Sequence, residues 1–145
     1  MLSVIQLVTS GQVLVNNEVI GAIDQGIVAL VGIEKTDNEQ VVEKLFRKIL
    51  SYRIFPDEQG KTNLSLADVQ GGLLLVPQFT LVADTNSGSR PSFSKGMAPS
   101  DSKELFEYFV GYAQSQYAKV ASGRFGAYMQ VSLCNDGPMT FVLRV

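Results

Sequence analysis

A seven-residue apolar run, Ile27–Ile33, most constrains the fold, because it has the length of a strand and no polar face. It predicts a strand that is buried on both faces. The residues before it are typical of antiparallel strands: Leu2–Val8 is rich in apolar residues, and Val13–Val15 and Glu18–Ile20 flank Asn16–Asn17. An Asn pair tolerates the positive φ of a tight turn, so these two short runs predict a hairpin.

Two later segments have helical periodicity. Apolar residues from Val41 to Leu50 form one stripe, and Asp37 with Gln40 three positions later resembles a capping box before it. A second apolar face, from Leu105 to Tyr117, follows a predicted helix start near Ser100. Both patterns predict amphipathic helices.

The remaining segments complete the predicted architecture. Leu73–Val76 is a further strand after a Gly-Gly break, and two closing strands are expected near Ala127–Leu133 and Met139–Val145. With no repeat or linker, residues 1–145 form one α+β domain, a curved, barrel-like antiparallel or mixed sheet with two amphipathic helices. A long irregular segment, Asp84–Ser100, is predicted to be functional or to form an interface, because structureless stretches of this length are uncommon in compact domains.

The composition excludes several kinds of chemistry. The 145 residues include no histidine and one cysteine, so Ser-His-Asp and Cys-His nucleophilic sites and His-based zinc sites are excluded. Neither Gly-rich phosphate-binding motif occurs, no carboxylates have calcium-loop spacing, and we expect no metal or cofactor. Chemistry must therefore come from hydroxyls, carboxylates, backbone groups or the substrate itself.

Location and partners are constrained only loosely. No apolar run has the roughly 20 residues needed to span a membrane, and the start of the chain does not resemble a signal peptide. One cysteine, Cys134, cannot form an internal disulfide, so we expect a cytoplasmic protein in which Cys134 is a small buried hydrophobic residue. The net charge of −2 gives no global basic field, and Arg90, Lys95 and Arg124 are scattered candidates for contacts to nucleic acid.

The segment Pro77–Thr80 is the first candidate for chemistry. Pro77 cannot donate to a sheet ladder and marks an edge, bulge or break in its strand. The amides of Gln78, Phe79 and Thr80 would then be free to stabilise an oxyanion. The alternative is a kinked edge strand with Phe79 in the core and Thr80 outside.

A second candidate is Gly137–Pro138, next to the last strand. A trans turn is the ordinary form of such a dipeptide, whereas a cis bond would aim two consecutive carbonyls in one direction and make a rigid test of substrate shape. Thr140 follows, and strand propensity alone explains it. Upstream, Gly123–Gly126 is a turn, and Phe125 and Met129 are either core residues or the lining of a pocket.

These segments together resemble the D-aminoacyl-tRNA deacylase family. The resemblance extends over the whole chain and includes Ile5–Gln6, Tyr52–Phe55, Asn63–Ser65, Gln78–Leu81, Ala83–Thr85, Arg90–Ser94, Gly123–Phe125 and Asn135–Pro138. It implies a homodimer that hydrolyses the ester of D-aminoacyl-tRNA, and of glycyl-tRNA mischarged on tRNA(Ala), at active sites between the subunits. The implied catalytic residues are Gln78, Phe79 and Thr80, assisted by a ribose hydroxyl of the tRNA.

The resemblance also implies how the substrate is selected. Gly137 and Pro138 of the partner subunit would exclude L side chains, with Phe125 and Met129 lining the pocket. Two residues depart from the family: Pro77 stands where Ser is usual, and Leu7 where an Arg helps to hold the Gly-Pro dipeptide. A sister group that removes L-alanine from threonine tRNA shares both departures and has a trans dipeptide. The alternatives are therefore a deacylase acting on L-alanyl-tRNA(Thr) and a non-catalytic module that binds tRNA 3′ ends.

Overall fold

The sheet of this protein is organised around a long first strand. The computed structural model describes residues 1–86 and 88–145; Ser87, in the predicted irregular segment, lies outside the described residues. In chain order the elements are β1 (Leu2–Val15), β2 (Glu18–Ile23), β3 (Gly26–Gly32), α1 (Glu39–Ser51), β4 (Phe55–Pro56), β5 (Thr62–Leu64), α2 (Leu66–Val69), β6 (Gly72–Pro77), a 3₁₀ helix (Phe79–Val82), α3 (Pro99–Gln116), β7 (Val120–Ser122) and β8 (Gln130–Arg144).

The strands form a mixed, barrel-like sheet. β1 pairs antiparallel with β2, β3 and β8, while β3–β6 and β6–β7 are parallel, so the order is β2-β1-β3-β6-β7 with β8 on the other side of β1. The sheet curves until its ends nearly meet. A Cβ added to Gly21 of β2 would lie 2.6 Å from the carbonyl oxygen of Ser122 in β7, so only glycine allows this approach.

Two apolar clusters hold the curved sheet. The larger one packs one face of β1, β3 and β6 against α1 and α3, and it includes Ile5, Phe46 and Phe109. The smaller one packs on the opposite face around Val28 and Leu74. The two-sided burial predicted for Ile27–Ile33 is confirmed, because Ile27 belongs to the first cluster and Val28 to the second.

The structure confirms some local predictions and corrects others. The hairpin turn has positive φ at both Asn16 and Asn17, as predicted. The cap of α1 is Asn38 rather than Asp37, because the Asp37 carboxylate accepts hydrogen bonds from the terminal ammonium of Met1 at 2.7 Å and the Glu34 amide at 2.7 Å.

The sequence prediction missed several short elements, among them the strands β4 and β5 and the 3₁₀ helix. A third helix, the four-residue α2, joins the two predicted ones, and a short strand, β7, follows α3. The two closing strands are one long strand, β8, which keeps its pairing with β1 through an irregularity around Gly137–Pro138. The prediction that Cys134 is buried is wrong: Cys134 lies on this strand and is exposed, because β8 pairs only with β1 among the described strands and one of its faces is open to solvent.

Candidate active site

A cleft of about 700 Å³ opens at the C-terminal ends of the parallel strands β3 and β6. Three parts of the chain build its walls: the ends of these two strands with the 3₁₀ helix that follows β6, the irregular segment with the start of α3, and the turn that precedes β8. The lining residues are Val31, Ile33, Val76, Pro77, Gln78, Phe79, Val82, Phe93, Gly96, Met97, Pro99, Ser102, Phe125, Gly126, Ala127, Tyr128, Met129 and Val131. The cleft is largely apolar, as small-molecule sites usually are.

Pro77 ends β6 at the floor of this cleft. It pairs with Val31 of β3, and the chain then turns into the 3₁₀ helix. The break that proline predicted in the strand is therefore confirmed. Phe79 is 60% exposed, so the alternative with Phe79 in the core is wrong.

The main-chain amides of this segment have different partners. The Gln78 amide donates to the Val31 carbonyl at 2.7 Å, so the expectation that it faces a ligand is wrong. Phe79 and Thr80 begin the 3₁₀ helix, where amides have no partner inside the helix. Within the described residues neither amide donates to a main-chain carbonyl or to a side chain. Two adjacent donors are thus free beside the cleft.

Thr80 follows Gln78 and Phe79 in the same wall and is exposed, but it is not among the residues that line the cleft. Its hydroxyl oxygen accepts a hydrogen bond from the Gln78 side-chain amide. This contact joins the side chains of Gln78 and Thr80 on either side of Phe79, so the three predicted catalytic residues lie together at the cleft.

Phe125 and Met129 line the cleft and also pack against the apolar clusters, Phe125 against the larger one and Met129 against the smaller one, so the two predicted alternatives both apply. Phe125 also packs against Phe106 of α3, with ring centroids 6.4 Å apart. The Met129 sulfur accepts from the Arg124 amide at 3.4 Å and lies where a Cβ on Gly123 would come within 2.8 Å. The predicted Gly123–Gly126 turn is confirmed and brings the Met129 side chain against Gly123.

Two aromatic residues at the cleft were missed by the sequence interpretation. Phe93 is 46% exposed and packs against Phe79, with ring centroids 5.0 Å apart. Tyr128 lines the cleft and is 92% exposed. A large apolar side chain inside the polar irregular segment was the available signal for Phe93, whereas nothing near Tyr128 in the sequence distinguishes it from a core residue.

The irregular segment is closed by an ion pair. The Lys95 ammonium lies 2.9 Å from the Asp84 carboxylate, and Asp84 and Ser92 exchange main-chain hydrogen bonds at 2.7 and 3.0 Å. Hydrogen bonding by Lys95, and then by the Asn86 amide, holds the pKa of Asp84 below its ordinary value. Lys95, Arg90 and Arg124 are all exposed, and Lys95 has this structural partner.

Gly137–Pro138 stands on the edge strand β8 and is exposed to solvent. The peptide bond is cis, the form that the resemblance associates with the D-specific group. Asn135 is paired with Val8 and Thr140 with Gln6, so the residues between them bulge out of the β1–β8 ladder.

The two candidate segments are far apart within one chain. The bulge that carries Gly137–Pro138 lies opposite Leu7 of β1, and Leu7 pairs with Ile27 of β3. On β3 the first residue that lines the cleft is Val31, four residues further along. At ~3.3 Å per residue this is more than 10 Å along the strand direction, and the order β8-β1-β3-β6 adds three strand spacings of ~4.8 Å. Neither Gly137 nor Pro138 lines the cleft of its own chain.

Neither a metal-binding cluster nor a membrane-spanning helix is found among residues 1–86 and 88–145. There, no group of three or more His, Cys, Asp or Glu side chains could hold a metal ion. No helix among the same residues has the length and apolar character to cross a membrane.

The sequence matches a known family over nearly its whole length. The profile of the D-Tyr-tRNA(Tyr) deacylase family covers residues 4–144. The chain belongs to this family. It is 57% identical over 145 residues to a D-aminoacyl-tRNA deacylase of Pseudomonas putida, and the match covers 100% of both chains. A D-aminoacyl-tRNA deacylase of Pseudoalteromonas translucida is 56% identical, again over 100% of both chains.

Two solved structures have the same fold. One described as a c-Myc DNA unwinding element binding protein superposes with a TM-score of 0.94 at 38% identity, covering 100% of this chain and 99% of its own. A probable eukaryotic D-amino acid tRNA deacylase superposes with a TM-score of 0.87 at 16% identity, covering 98% and 97%. The second likeness shows the fold alone. The predicted α+β, barrel-like deacylase fold is confirmed.

Proposed function

We propose that this chain hydrolyses the ester between a D-amino acid and the 3′ end of tRNA, in the cytoplasm where tRNAs are charged. The products are the free D-amino acid and the tRNA, so the reaction proofreads the chirality of translation. The observation that carries this proposal is family membership across residues 4–144, with named deacylases above 50% identity.

The arrangement of the cleft supports ester hydrolysis. Water attacks the carbonyl carbon, the bond to the ribose oxygen breaks, and that oxygen takes up a proton. The free amides of Phe79 and Thr80 are placed to donate to the carbonyl oxygen as it becomes negative. The ribose hydroxyl that the resemblance implies would assist the proton transfer, since histidine is absent from the chain.

Thr80 acts in this proposal by positioning rather than by nucleophilic attack. A Thr hydroxyl needs an adjacent base to become a nucleophile. Among the described residues its oxygen instead accepts from the Gln78 side-chain amide, which is not a base. The Thr80 hydroxyl remains able to donate its own proton to a substrate oxygen.

A homodimer completes the site. Gly137 and Pro138 are exposed and remote from their own cleft, so a second copy is needed to bring such a dipeptide to the ester. The 15-residue strand β8 pairs only with β1 among the described strands, and Val142 on it is 66% exposed. A long edge strand presents a row of unpaired main-chain groups, which is a template for pairing with another chain. In the dimer, Gly137–Pro138 of one subunit excludes L side chains from the cleft of the other, which Phe125 and Met129 line.

The rest of the tRNA contributes weak, nonspecific contacts. Arg90, Lys95 and Arg124 are exposed and are candidates for phosphate contacts. With a net charge of −2, affinity should be modest and should fall as salt rises. Glycyl-tRNA is a second substrate of the same site, because glycine carries no side chain for Gly137–Pro138 to exclude.

The test is a deacylation time course on D-tyrosyl-, L-tyrosyl-, glycyl- and L-alanyl-tRNA, with the Thr80→Ala variant in parallel. We expect rapid loss of the D-tyrosyl and glycyl esters and survival of both L esters. Hydrolysis of the L-alanyl ester would contradict strict chiral proofreading and favour the alternative, a deacylase with relaxed stereospecificity. Survival of all four esters at the spontaneous rate, with charged tRNA still bound, would overturn hydrolysis and leave a tRNA-end binding module.

A further inference from the structure

We propose that three hydrogen-bonded side chains, Gln6, Asn135 and Thr140, position Gly137–Pro138 for its task in the partner's cleft. We name these three side chains the brace. The inference rests on the proposed function, because it assigns positioning residues to the same shared site.

The bulge that carries Gly137–Pro138 lacks ordinary ladder support. Thr140 pairs with Gln6 and Asn135 with Val8, so four residues of β8 lie between these pairs where β1 has only Leu7. The surplus residues project from an edge strand, whose outer side has no neighbouring strand among the described residues. Such a bulge has few main-chain bonds to fix its direction, and side chains have to supply them.

The brace ties the base of this bulge together and fastens it to β1. The Thr140 hydroxyl oxygen accepts from the Asn135 side-chain amide at 2.9 Å and from the Gln6 side-chain amide at 3.3 Å. The Asn135 side-chain oxygen in turn accepts from the Met139 main-chain amide at 3.3 Å. One hydroxyl thus joins both ends of the bulge and the neighbouring strand, on either side of Gly137–Pro138.

Positioning explains this network better than stability does. Thr140 is exposed, and Gln6 and Asn135 are only partly buried. In the unfolded chain water forms equivalent hydrogen bonds with these groups, so the three bonds add little to the free energy of unfolding. Leu7, the residue of β1 opposite the bulge, is buried in the core, and its side chain has no polar atom that could bond to the bulge. The direction of the bulge therefore depends on the brace, whereas the fold depends on the apolar clusters.

The decisive variants change the shared acceptor. Thr140→Val removes the hydroxyl but keeps the shape and the β-branch, whereas Thr140→Ser keeps the hydroxyl. The readout is the ratio of kcat/KM for D-tyrosyl-tRNA to that for L-tyrosyl-tRNA, with the melting temperature measured beside it. We expect Thr140→Val to lower the ratio roughly three- to tenfold, as the loss of a hydrogen-bonded acceptor predicts, and Thr140→Ser to restore most of it.

A second pair of variants separates loss of the brace from a general effect of substitution on β1. Gln6→Leu removes one donor of the brace. Its matched control is Gln12→Leu, an exposed position on the same strand that pairs with Ser132 in the same ladder, outside the brace. We expect a lower ratio for Gln6→Leu and an unchanged ratio for Gln12→Leu. A purely structural role would lower both kcat/KM values in parallel and leave the ratio unchanged, which would overturn the proposal.

Gly137→Ala separates this proposal from the function on which it rests. If Gly137→Ala collapses the ratio while Thr140→Val and Gln6→Leu leave it within about twofold of the wild type, the brace is overturned and the shared site stands. If Gly137→Ala leaves the ratio unchanged, the role of the dipeptide in the partner's cleft fails and the brace fails with it.

Discussion

The two halves of the proposed site are held by the fold in opposite ways. The wall that carries Gln78–Thr80 follows a central strand of the sheet, and its first amide is bonded to β3. The bulge that carries Gly137–Pro138 stands on an edge strand and is exposed. The wall is therefore supported by main-chain bonds and buried apolar packing, whereas the bulge is supported by three polar side chains.

This difference teaches how one small domain divides chemistry from recognition. Groups that stabilise a developing charge have to be rigid, and the end of a buried parallel strand supplies that rigidity. In the proposed dimer, Gly137–Pro138 contacts the substrate in the partner's cleft, and an exposed edge strand allows that reach. Neither half lies close enough to the other within one chain to make a complete site.

Loss of the wall's hydroxyl should have the largest effect. We expect Thr80→Ala to lower kcat for D-tyrosyl-tRNA by about 10²-fold, because the positioned hydroxyl at the reacting ester is lost. The free energy of unfolding should change by less than ~0.5 kcal/mol, since Thr80 is exposed. Thr62→Ala, an exposed Thr on β5, is the control and should retain wild-type turnover. Normal turnover of Thr80→Ala would remove Thr80 from the mechanism.

The bulge should respond differently from the wall. Gly137 has φ +115°, and an added Cβ would lie 2.6 Å from Met139 Cγ, so Gly137→Ala must displace the bulge. We expect the D-to-L ratio of kcat/KM to fall about tenfold or more, with turnover of the D ester largely kept. Gly60→Ala is the matched control, because Gly60 also has positive φ (+75°) but open space around it. Equal effects of the two substitutions would contradict the division of roles.

The aromatic rim of the cleft should contribute less. Phe93→Ala removes the ring that packs on Phe79, and we expect KM for D-tyrosyl-tRNA to rise roughly three- to tenfold with kcat nearly unchanged. Val19→Ala, an exposed apolar position on β2, is the control for general loss of surface. A fall in kcat without a change in KM would place Phe93 in the chemical step instead.

The ion pair in the irregular segment should have the smallest effect. Because the pKa of Asp84 is lowered in the folded chain, its stabilising contribution is present above the ordinary value near 3.8 and is lost as pH falls through the lower folded value. The amides of Asp84 and Ser92 each donate to the other residue's carbonyl. The protection of these two amides against hydrogen exchange should therefore fall once the pH is below the folded pKa of Asp84. In Asp84→Asn these amides should exchange quickly already at pH 5. Unchanged protection in the variant would show that the segment does not depend on the Lys95 contact.

The sequence predicted those parts of the fold that local chemistry decides. The hairpin at Asn16–Asn17 follows from residues that tolerate positive φ, and the break at Pro77 from a residue without an amide hydrogen. The predicted Asp37 cap was wrong, because a distant partner, the terminal ammonium of Met1, competes for its carboxylate. Local patterns carry no information on such a partner.

The candidate site was predicted in its composition but not in its arrangement. The residues Gln78–Thr80, Phe125 and Met129 were identified, and the structure brings them to one cleft or its edge. Phe93 was missed because its place beside Phe79 depends on how the irregular segment folds back. Thr140 was assigned to strand propensity, since its contacts to Gln6 and Asn135 depend on the β1–β8 register.

One measurement tests most directly whether the site is shared between two chains. Gly137→Ala chains, whose clefts accept L-tyrosyl-tRNA, are co-expressed with an increasing excess of Thr80→Ala chains, whose clefts are inactive but whose bulges are intact. If the bulge acts on the partner's cleft, L-tyrosyl-tRNA hydrolysis per Gly137→Ala chain falls toward zero while D-tyrosyl-tRNA hydrolysis persists. If each bulge serves its own cleft, hydrolysis of the L ester per Gly137→Ala chain stays constant at every ratio, and the shared site is wrong.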